Sequence, residues 1–151
     1  MSERGLSPVV GVVCLLAVTV LLAAVVVVAL PTGPPSPPTA AAFELEADPG
    51  GEIRLTHAGG EAIEPGAIDL GIRVDGEPIA EQPPVPFFSA RGFESAPEGA
   101  FNSALSEPWV AGETATLTLA GTNEPSIDAG DVVAVRVYVD NHRVATLETT
   151  A

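Results

Sequence analysis

Lysine is absent from this 151-residue sequence, and all six basic residues are arginine. Aspartate and glutamate together number 20, so the formal charge at neutral pH is −14. A surface of that sign repels nucleic acid and anionic lipid headgroups, because both carry dense negative charge. The composition therefore disfavours phosphate binding, and we expect no nucleic-acid partner.

Cysteine occurs once, as Cys14, inside an apolar run near the N-terminus. The rest of the chain therefore cannot form an internal disulfide, and we interpret Cys14 as a small apolar residue of a helix. An acylated lipoprotein cysteine follows a small residue and is not followed by a long apolar run. Here Val13 precedes Cys14 and the apolar run continues after it, which argues against acylation.

Signatures of catalysis are also missing from the sequence. It contains no phosphate loop and no nucleophile elbow. His57 and His142 are the only histidines, and neither stands at the spacing of a metal site or a catalytic triad. We interpret each as a turn or sheet-edge residue. A calcium site at residues 128–131 is a weak alternative, and we predict no enzymatic activity, cofactor or metal.

Residues 6–30 form an uninterrupted uncharged stretch. As a helix these 25 residues would extend roughly 37 Å, enough to cross a bilayer. The apolar core of a cleavable secretory signal is only about 7 to 15 residues long, so a transmembrane helix is predicted. Arg4 favours a cytoplasmic N-terminus. A peptidase site at residues 40–42 is the alternative.

The start of the run has a specific order of residues, which reads Arg4-Gly5-Leu6-Ser7-Pro8-Val9-Val10-Gly11-Val12-Val13. This order, followed by a long Val/Leu/Ala stretch, resembles the N-terminus of archaeal type IV pilin-like proteins, especially those of haloarchaea. The resemblance implies cleavage by a membrane prepilin peptidase between Gly5 and Leu6, which makes residues 1–5 a leader. It also makes Ser7, Pro8, Val9 and Gly11 residues of the pilin motif.

The residues around this position suit proteolysis. Gly5 has no side chain to obstruct a protease, and Pro8 is expected to keep Ser7 outside the helix in an extended conformation. Alternatively, Ser7 caps the helix with Pro8 at its first position. Bacterial type IV pilins have glutamate at the fifth mature position, where this chain has Val10, so we expect apolar helix packing rather than charge pairing to drive assembly.

Residues 31–42 form a proline-rich linker that separates the run from the rest of the chain. Five prolines between residues 31 and 38 predict polyproline II, a semi-rigid spacer of roughly 25 Å.

From residue 43 onward, apolar residues alternate with polar ones in short stretches separated by turn residues. The alternating sets begin at Phe43, Ile53, Ile68, Leu117 and Val133, and a final hairpin turns at residues 140–142. We predict six or seven strands in an all-β domain, an antiparallel sandwich with an immunoglobulin-like arrangement as one option. Gly59-Gly60 and Gly112 are predicted to form tight turns with positive φ.

Residues 82–108 fit no period, and we predict a long surface loop with at most one short strand. The aromatic residues there and nearby could form an exposed adhesive patch. Burial in the core is the better interpretation in a domain with so few of them. The residues concerned are Phe87, Phe88, Phe93, Phe101 and Trp109.

The expected function is that of a surface subunit. The helix anchors in the membrane or packs in a pilus core, and the acidic domain is displayed outside for adhesion. The implied partners are membrane lipid, the prepilin peptidase and other pilin subunits, in homo- or hetero-oligomers. Alternatives are an anchored domain or minor pseudopilin that forms no filament, and a tethered solute-binding or enzymatic module.

The acid excess without lysine also looks like the composition of salt-loving archaea. Dense carboxylates tolerate one another when ionic strength is high, since the Debye length is roughly 3 Å at 1 M salt. We therefore expect a fragment of residues 43–151 to unfold more readily in dilute buffer than in molar salt.

Overall fold

The computed structural model describes residues 6–29 and 39–151. The predicted leader, residues 1–5, and the predicted proline-rich spacer, residues 31–38, lie outside the described residues. The chain divides into two units between Pro37 and Pro38. Helix α1 (Leu6–Ala29) belongs to the first unit and a β domain forms the second.

The β domain contains seven strands within residues 39–151. They are β1 (Ala41–Ala47), β2 (Glu52–Gly60), β3 (Ile68–Val74), β4 (Glu77–Pro78), β5 (Thr114–Thr118), β6 (Val132–Val139) and β7 (His142–Thr150). One sheet has the order β1-β2-β5 and the other has the order β4-β3-β6-β7. All pairings between these strands are antiparallel. The predicted fold class, an apolar helix followed by antiparallel sheets, is confirmed.

The strand order is that of an immunoglobulin-like sandwich. The first, second and fifth strands form one sheet, and the third, sixth and seventh strands form the other, as in constant-type immunoglobulin domains, in which, however, the fourth strand belongs to the first of these sheets. The short β4 extends the second sheet beside β3. No disulfide supports this arrangement, because the only cysteine lies in α1.

Alternation along the strands builds a single core between the two sheets. Every second residue of β3 and β6 is buried, and the same holds for β2 as far as its seventh residue. Because successive side chains of a strand point to opposite faces, this pattern leaves the other half of each strand facing outward. The most deeply buried aliphatic residues include Ile53, Leu55, Ile68, Ile72, Leu117, Val133, Val135 and Val137.

The final hairpin closes through a two-residue turn. Asp140 and Asn141 have φ values of 50° and 63°, and Val139 pairs with His142 across them. Positive φ at both central residues is typical of the tight turn that matches strand twist. The predicted hairpin is thus confirmed, and His142 is exposed beside its turn, as expected.

The connection between β4 and β5, residues 79–113, differs from the predicted surface loop. It contains no strand, only isolated bridges and a short 3-10 turn at Gly99–Phe101. Yet Phe87, Phe93, Phe101 and Trp109 are all buried, and Phe101 contacts Trp109 with ring centroids 5.6 Å apart. The prediction of a loop is confirmed, but its placement wholly at the surface was wrong, because a segment without periodicity can still contribute single side chains to a core.

The interpretation of the aromatic residues as core is confirmed for four of the five. Phe88 is the exception, with 56% of its surface exposed. The backbone of the connection is held in place by β5, since Glu98 and Thr116 exchange two backbone hydrogen bonds. The connection therefore lies along the free edge of β5 and covers the core there rather than extending into solvent.

His57 is fully buried and not at a turn or an edge, so its predicted placement was wrong. It lies in β2, with β1 on one side and β5 on the other, and continues the inward series of Ile53 and Leu55. Its ring centroid is 5.4 Å from that of Phe43 and 5.6 Å from that of Trp109. The Nε2–H donates to the carbonyl oxygen of Glu61 at 2.9 Å, because a carbonyl can only accept. Alternation alone could have placed His57 in the core.

The wrong placement of His57 follows from the prediction for the two glycines after it. Gly59 and Gly60 were predicted to form a turn, but both belong to β2 and pair with Ala42 and Ala41. Gly60 does have positive φ, at 110°, whereas Gly59 does not. Strand β1 accordingly begins at Ala41, two residues before the predicted start. Gly112 has φ of 94°, in agreement with the prediction.

Candidate functional site: the apolar helix and the acidic face

Helix α1 has no polar face. From Pro8 to Val25 every side chain is exposed, and neither end of the helix carries a charged residue in its terminal turn. An amphipathic helix buries one apolar stripe and keeps the rest wet. A helix that is apolar on all sides instead needs an apolar environment all around it, from lipid or from neighbouring helices.

The length of α1 matches a bilayer. Its 24 residues would extend roughly 36 Å, and the hydrocarbon core of a bilayer is about 30 Å thick. Among the described helices, α1 is the one that is long and apolar enough to cross a membrane. The hydroxyl of Thr19 donates to the carbonyl oxygen of Leu15 at 2.8 Å, so this polar group is satisfied inside the helix.

The predicted motif residues lie at the start of this helix, apart from Gly5, which is outside the described residues. The backbones of Leu6 and Ser7 are helical, and Pro8 lies in the first turn. The expectation that Pro8 keeps Ser7 extended was therefore wrong. Proline is tolerated here because the first backbone N–H groups of a helix have no intrahelical acceptor.

Small residues are spread around α1 rather than gathered on one side. Val9 and Gly11 are exposed, and a side chain added at Gly11 would meet nothing within 4 Å. Ala17 and Ala24 are seven residues apart and share a face, whereas Gly11 lies about 240° from Ala17 around the axis. The helix therefore has no single small-residue stripe of the kind that fixes one close helix pair.

In the β domain, the outward side of the sheet β1-β2-β5 is strongly acidic, and we call it the acidic face. It consists of Glu44, Glu46, Glu52 and Arg54, with Asp48 at the adjoining turn and Glu94 and Glu98 at the rim of a shallow cleft of about 230 Å³. Six carboxylates and one arginine give the acidic face a formal charge of −5.

Arg54 is the one cation of the acidic face, and it bonds to three of the six carboxylates. Its Nε donates to Glu46 Oε2 at 3.2 Å, and its Nη1 donates to Asp48 Oδ2 at 2.7 Å and to Glu52 Oε1. The hydrogen bonds to Glu46, Asp48 and Glu52, in that order of size, raise the pKa of the guanidinium above its usual value. Arg54 therefore stays charged and reduces the repulsion among the three carboxylates.

Groups that could act chemically are not gathered in the described parts of the chain. Within residues 6–29 and 39–151, no three His, Cys, Asp or Glu side chains are close enough to hold a metal ion. His57 lies in the aromatic core and His142 at the tip of the last hairpin. Cys14 is exposed on α1, and it is far from both histidines in the sequence.

The N-terminal part of the chain is similar to a known protein family. Residues 4–42 match the family described as "Archaeal Type IV pilin, N-terminal". No curated protein matches the chain. The matched stretch includes the predicted motif and the whole of α1, and it ends at the second residue of β1.

This family consists of structural subunits that assemble with other pilin subunits. The apolar helix and the family together fit a location in the membrane or on a pilus at the cell surface. Residues 4–42 of this chain, which include the whole of α1, are thus similar to the N-terminal domain of the archaeal type IV pilins.

Proposed function

We propose that this chain is a pilin-like structural subunit whose helix anchors it in the membrane and then packs in the core of a filament, with the acidic β domain displayed outside the cell. The observation that carries the proposal is the complete exposure of an uncharged helix from Pro8 to Val25. Such a surface is stable only in lipid or against other apolar helices. The first environment corresponds to anchoring in the membrane and the second to packing in the filament core.

The second unit supports display outside the membrane. The 113 residues from 39 to 151 contain 19 carboxylates and five arginines, and their apolar residues are gathered in one core. Transfer of so many charged groups into lipid is costly, so such a domain favours water. Its charge keeps copies soluble and suits contact with concentrated salt or with a hydrated surface. Adhesion through this domain is part of the proposal.

Processing by a prepilin peptidase between Gly5 and Leu6 belongs to the same proposal. The cut would remove the charged leader and leave an apolar N-terminus on α1. Mass spectrometry of the mature chain tests it, and we expect the first residue to be Leu6. An intact Met1, or a start near Phe43, would contradict it.

A matched pair of variants sharpens this test. Gly5→Phe places a bulky side chain next to the scissile bond, so we expect the leader to be retained. Gly11→Ala adds a single methyl where the structure has open space, and we expect normal cleavage. Equal processing of both variants would argue against recognition at Gly5.

The alternative function is a membrane-anchored domain or minor pseudopilin that forms no filament. It is supported by the same exposed helix, which lipid alone can cover. Isolation of surface filaments followed by mass spectrometry separates the two. We expect this chain among the filament components, and recovery solely with membrane vesicles would favour the alternative.

A further inference from the structure

Arginine is unevenly distributed over the β domain. Three of its five arginines lie on the outward side of the sheet β4-β3-β6-β7, on three adjacent strands. Arg73 lies between the buried Ile72 and Val74 of β3. Arg136 lies likewise between buried valines of β6, and Arg143 pairs with Tyr138 from β7. We call this side of the domain the arginine face.

These arginines are available for a partner. Among residues 39–151, none of the three has a carboxylate oxygen within 4.0 Å, whereas Arg54 on the opposite side contacts three carboxylates. Arg73 donates to the carbonyl oxygen of Gly76 at 2.8 Å. On the outward positions of β3, β6 and β7 the acidic residues are Asp69 and Glu148, so these three strands have a formal charge of +1 there in a domain of −14, and Asp75 and Asp140 lie at the adjoining turns.

The shape and composition of the arginine face also suit binding. Tyr138, the only tyrosine of the chain, lies on it opposite Asp69 and Arg143. Gly71 faces Arg136 without a side chain, and a shallow groove of about 160 Å³ runs between Arg73, Arg136, Tyr138 and Pro78. Tyrosine and arginine are among the residues enriched where protein interfaces bind tightly.

The acidic face is complementary in charge and lies on the other side of the same sandwich. Its exposed carboxylates include Glu44, Glu46, Glu94 and Glu98. A contact between opposite sides of identical copies is head-to-tail, and contacts of that kind continue into open helical assemblies when they do not close into a ring. Both surfaces needed for such a contact are present on one domain.

We propose that the arginine face of one copy docks on the acidic face of a second copy of this chain. The inference deepens the proposed function, since it adds a contact between displayed domains to the packing of the helices. Arginine suits this contact better than lysine, because its planar fork binds a carboxylate through two parallel hydrogen bonds and it is more weakly hydrated. Bonds made at contact distance persist in salt that screens the longer-range attraction.

The test uses the full chain in cells that make filaments. Arg136→Gln with Arg143→Gln changes the charge by two units and removes donors from the arginine face. Arg91→Glu changes the charge by the same two units at an exposed arginine outside the arginine face. We expect about a tenfold loss of filament protein, or a lower temperature of filament disassembly, for the double variant alone.

An exchange of charges between the two faces distinguishes the docking of a second copy from a loss of assembly that has another cause. Arg136→Glu with Arg143→Glu should impair assembly, and adding Glu44→Arg with Glu94→Arg, at two exposed carboxylates that do not bond to Arg54, should restore it in part. Circular dichroism of each variant domain checks that the fold survives. Rescue by the exchange supports the contact between copies, and filaments of unchanged yield and stability in the double variants would overturn it while leaving the proposed function intact.

Two further outcomes are informative. If the variants assemble normally but lose retention on an anionic glycan such as heparin, the arginine face binds a polysaccharide and the docking of copies is wrong. If the wild-type chain is absent from filaments, the proposed function fails. The docking contact is overturned separately if the wild-type chain is monomeric in detergent and the double variant anchors normally in the membrane.

Discussion

Helix α1 and the β domain treat apolar surface in opposite ways. From Pro8 to Val25 the helix exposes every side chain and buries none, whereas the domain encloses its apolar residues between two sheets and a long connection. The helix is thus incomplete by itself, because its surface needs lipid or other helices. The domain has its own core and needs neither.

Because of this contrast, we expect substitutions in the helix and substitutions in the domain to change different properties of the protein. A substitution in the core should change the unfolding of the domain without changing where the chain is anchored. A substitution in the helix should change anchoring and assembly without changing the stability of the domain. Measurement of domain stability and of membrane anchoring for variants of each unit tests whether the two units behave independently.

The largest effect is expected in the aromatic core. Phe101→Ala should lower the free energy of unfolding of a fragment of residues 39–151 by about 4 kcal/mol, because it removes a fully buried ring and leaves a cavity. Phe88→Ala is the matched control, since 56% of Phe88 is exposed, and should change it by about 0.5 kcal/mol or less. Chemical denaturation in molar salt measures both. Similar losses at the two positions would contradict the burial of the connection.

The next effect concerns the helix. Leu16→Asp places a carboxylate near the middle of α1, at a cost of about 3 kcal/mol in a membrane. We expect the full chain to be lost from membranes and filaments, with the domain still folded. Leu16→Ile keeps the surface apolar and should behave like the wild type. Fractionation of cells followed by immunoblotting measures the distribution, and undiminished anchoring of the aspartate variant would refute the role of the helix.

A smaller effect separates the paired glycines. A Cβ at Gly60 would lie 2.1 Å from the carbonyl oxygen of Ala40, which accepts a hydrogen bond from the backbone N–H of Glu61. Because φ is also positive there, Gly60→Ala should destabilise the domain by more than about 1 kcal/mol. Gly59→Ala meets open space and should change little. Thermal unfolding of the two variants decides, and equal melting temperatures would contradict the assigned backbone.

The smallest effect is expected on the acidic face. Arg54→Gln removes the cation shared by Glu46, Asp48 and Glu52, so their mutual repulsion increases. The melting temperature should fall slightly in molar salt and further in dilute buffer, since screening hides the repulsion. Arg91→Gln should show no such salt dependence, because Arg91 is 4.0 Å from its nearest carboxylate. The same decrease in both buffers would mean that Arg54 acts through packing.

Much of this organisation was predictable from local sequence. An uncharged stretch of 25 residues predicts a membrane-length helix, because backbone groups in lipid can be satisfied only within the helix. Period-two alternation predicted β3 and β6 and their inward residues. The final hairpin followed from Asp140-Asn141 between two alternating stretches. The boundaries of leader, helix, linker and domain, and the cleavage at Gly5, stay predictions.

The sequence by itself determined which segments are helix or strand and which residues of each strand face inward, because these properties depend on neighbours one to four positions away. The tertiary structure decided what the long connection covers and how the arginines divide between two faces. These depend on which strands pair across the sandwich, and residues such as Arg73, Arg136 and Arg143 become neighbours only when β3, β6 and β7 lie side by side.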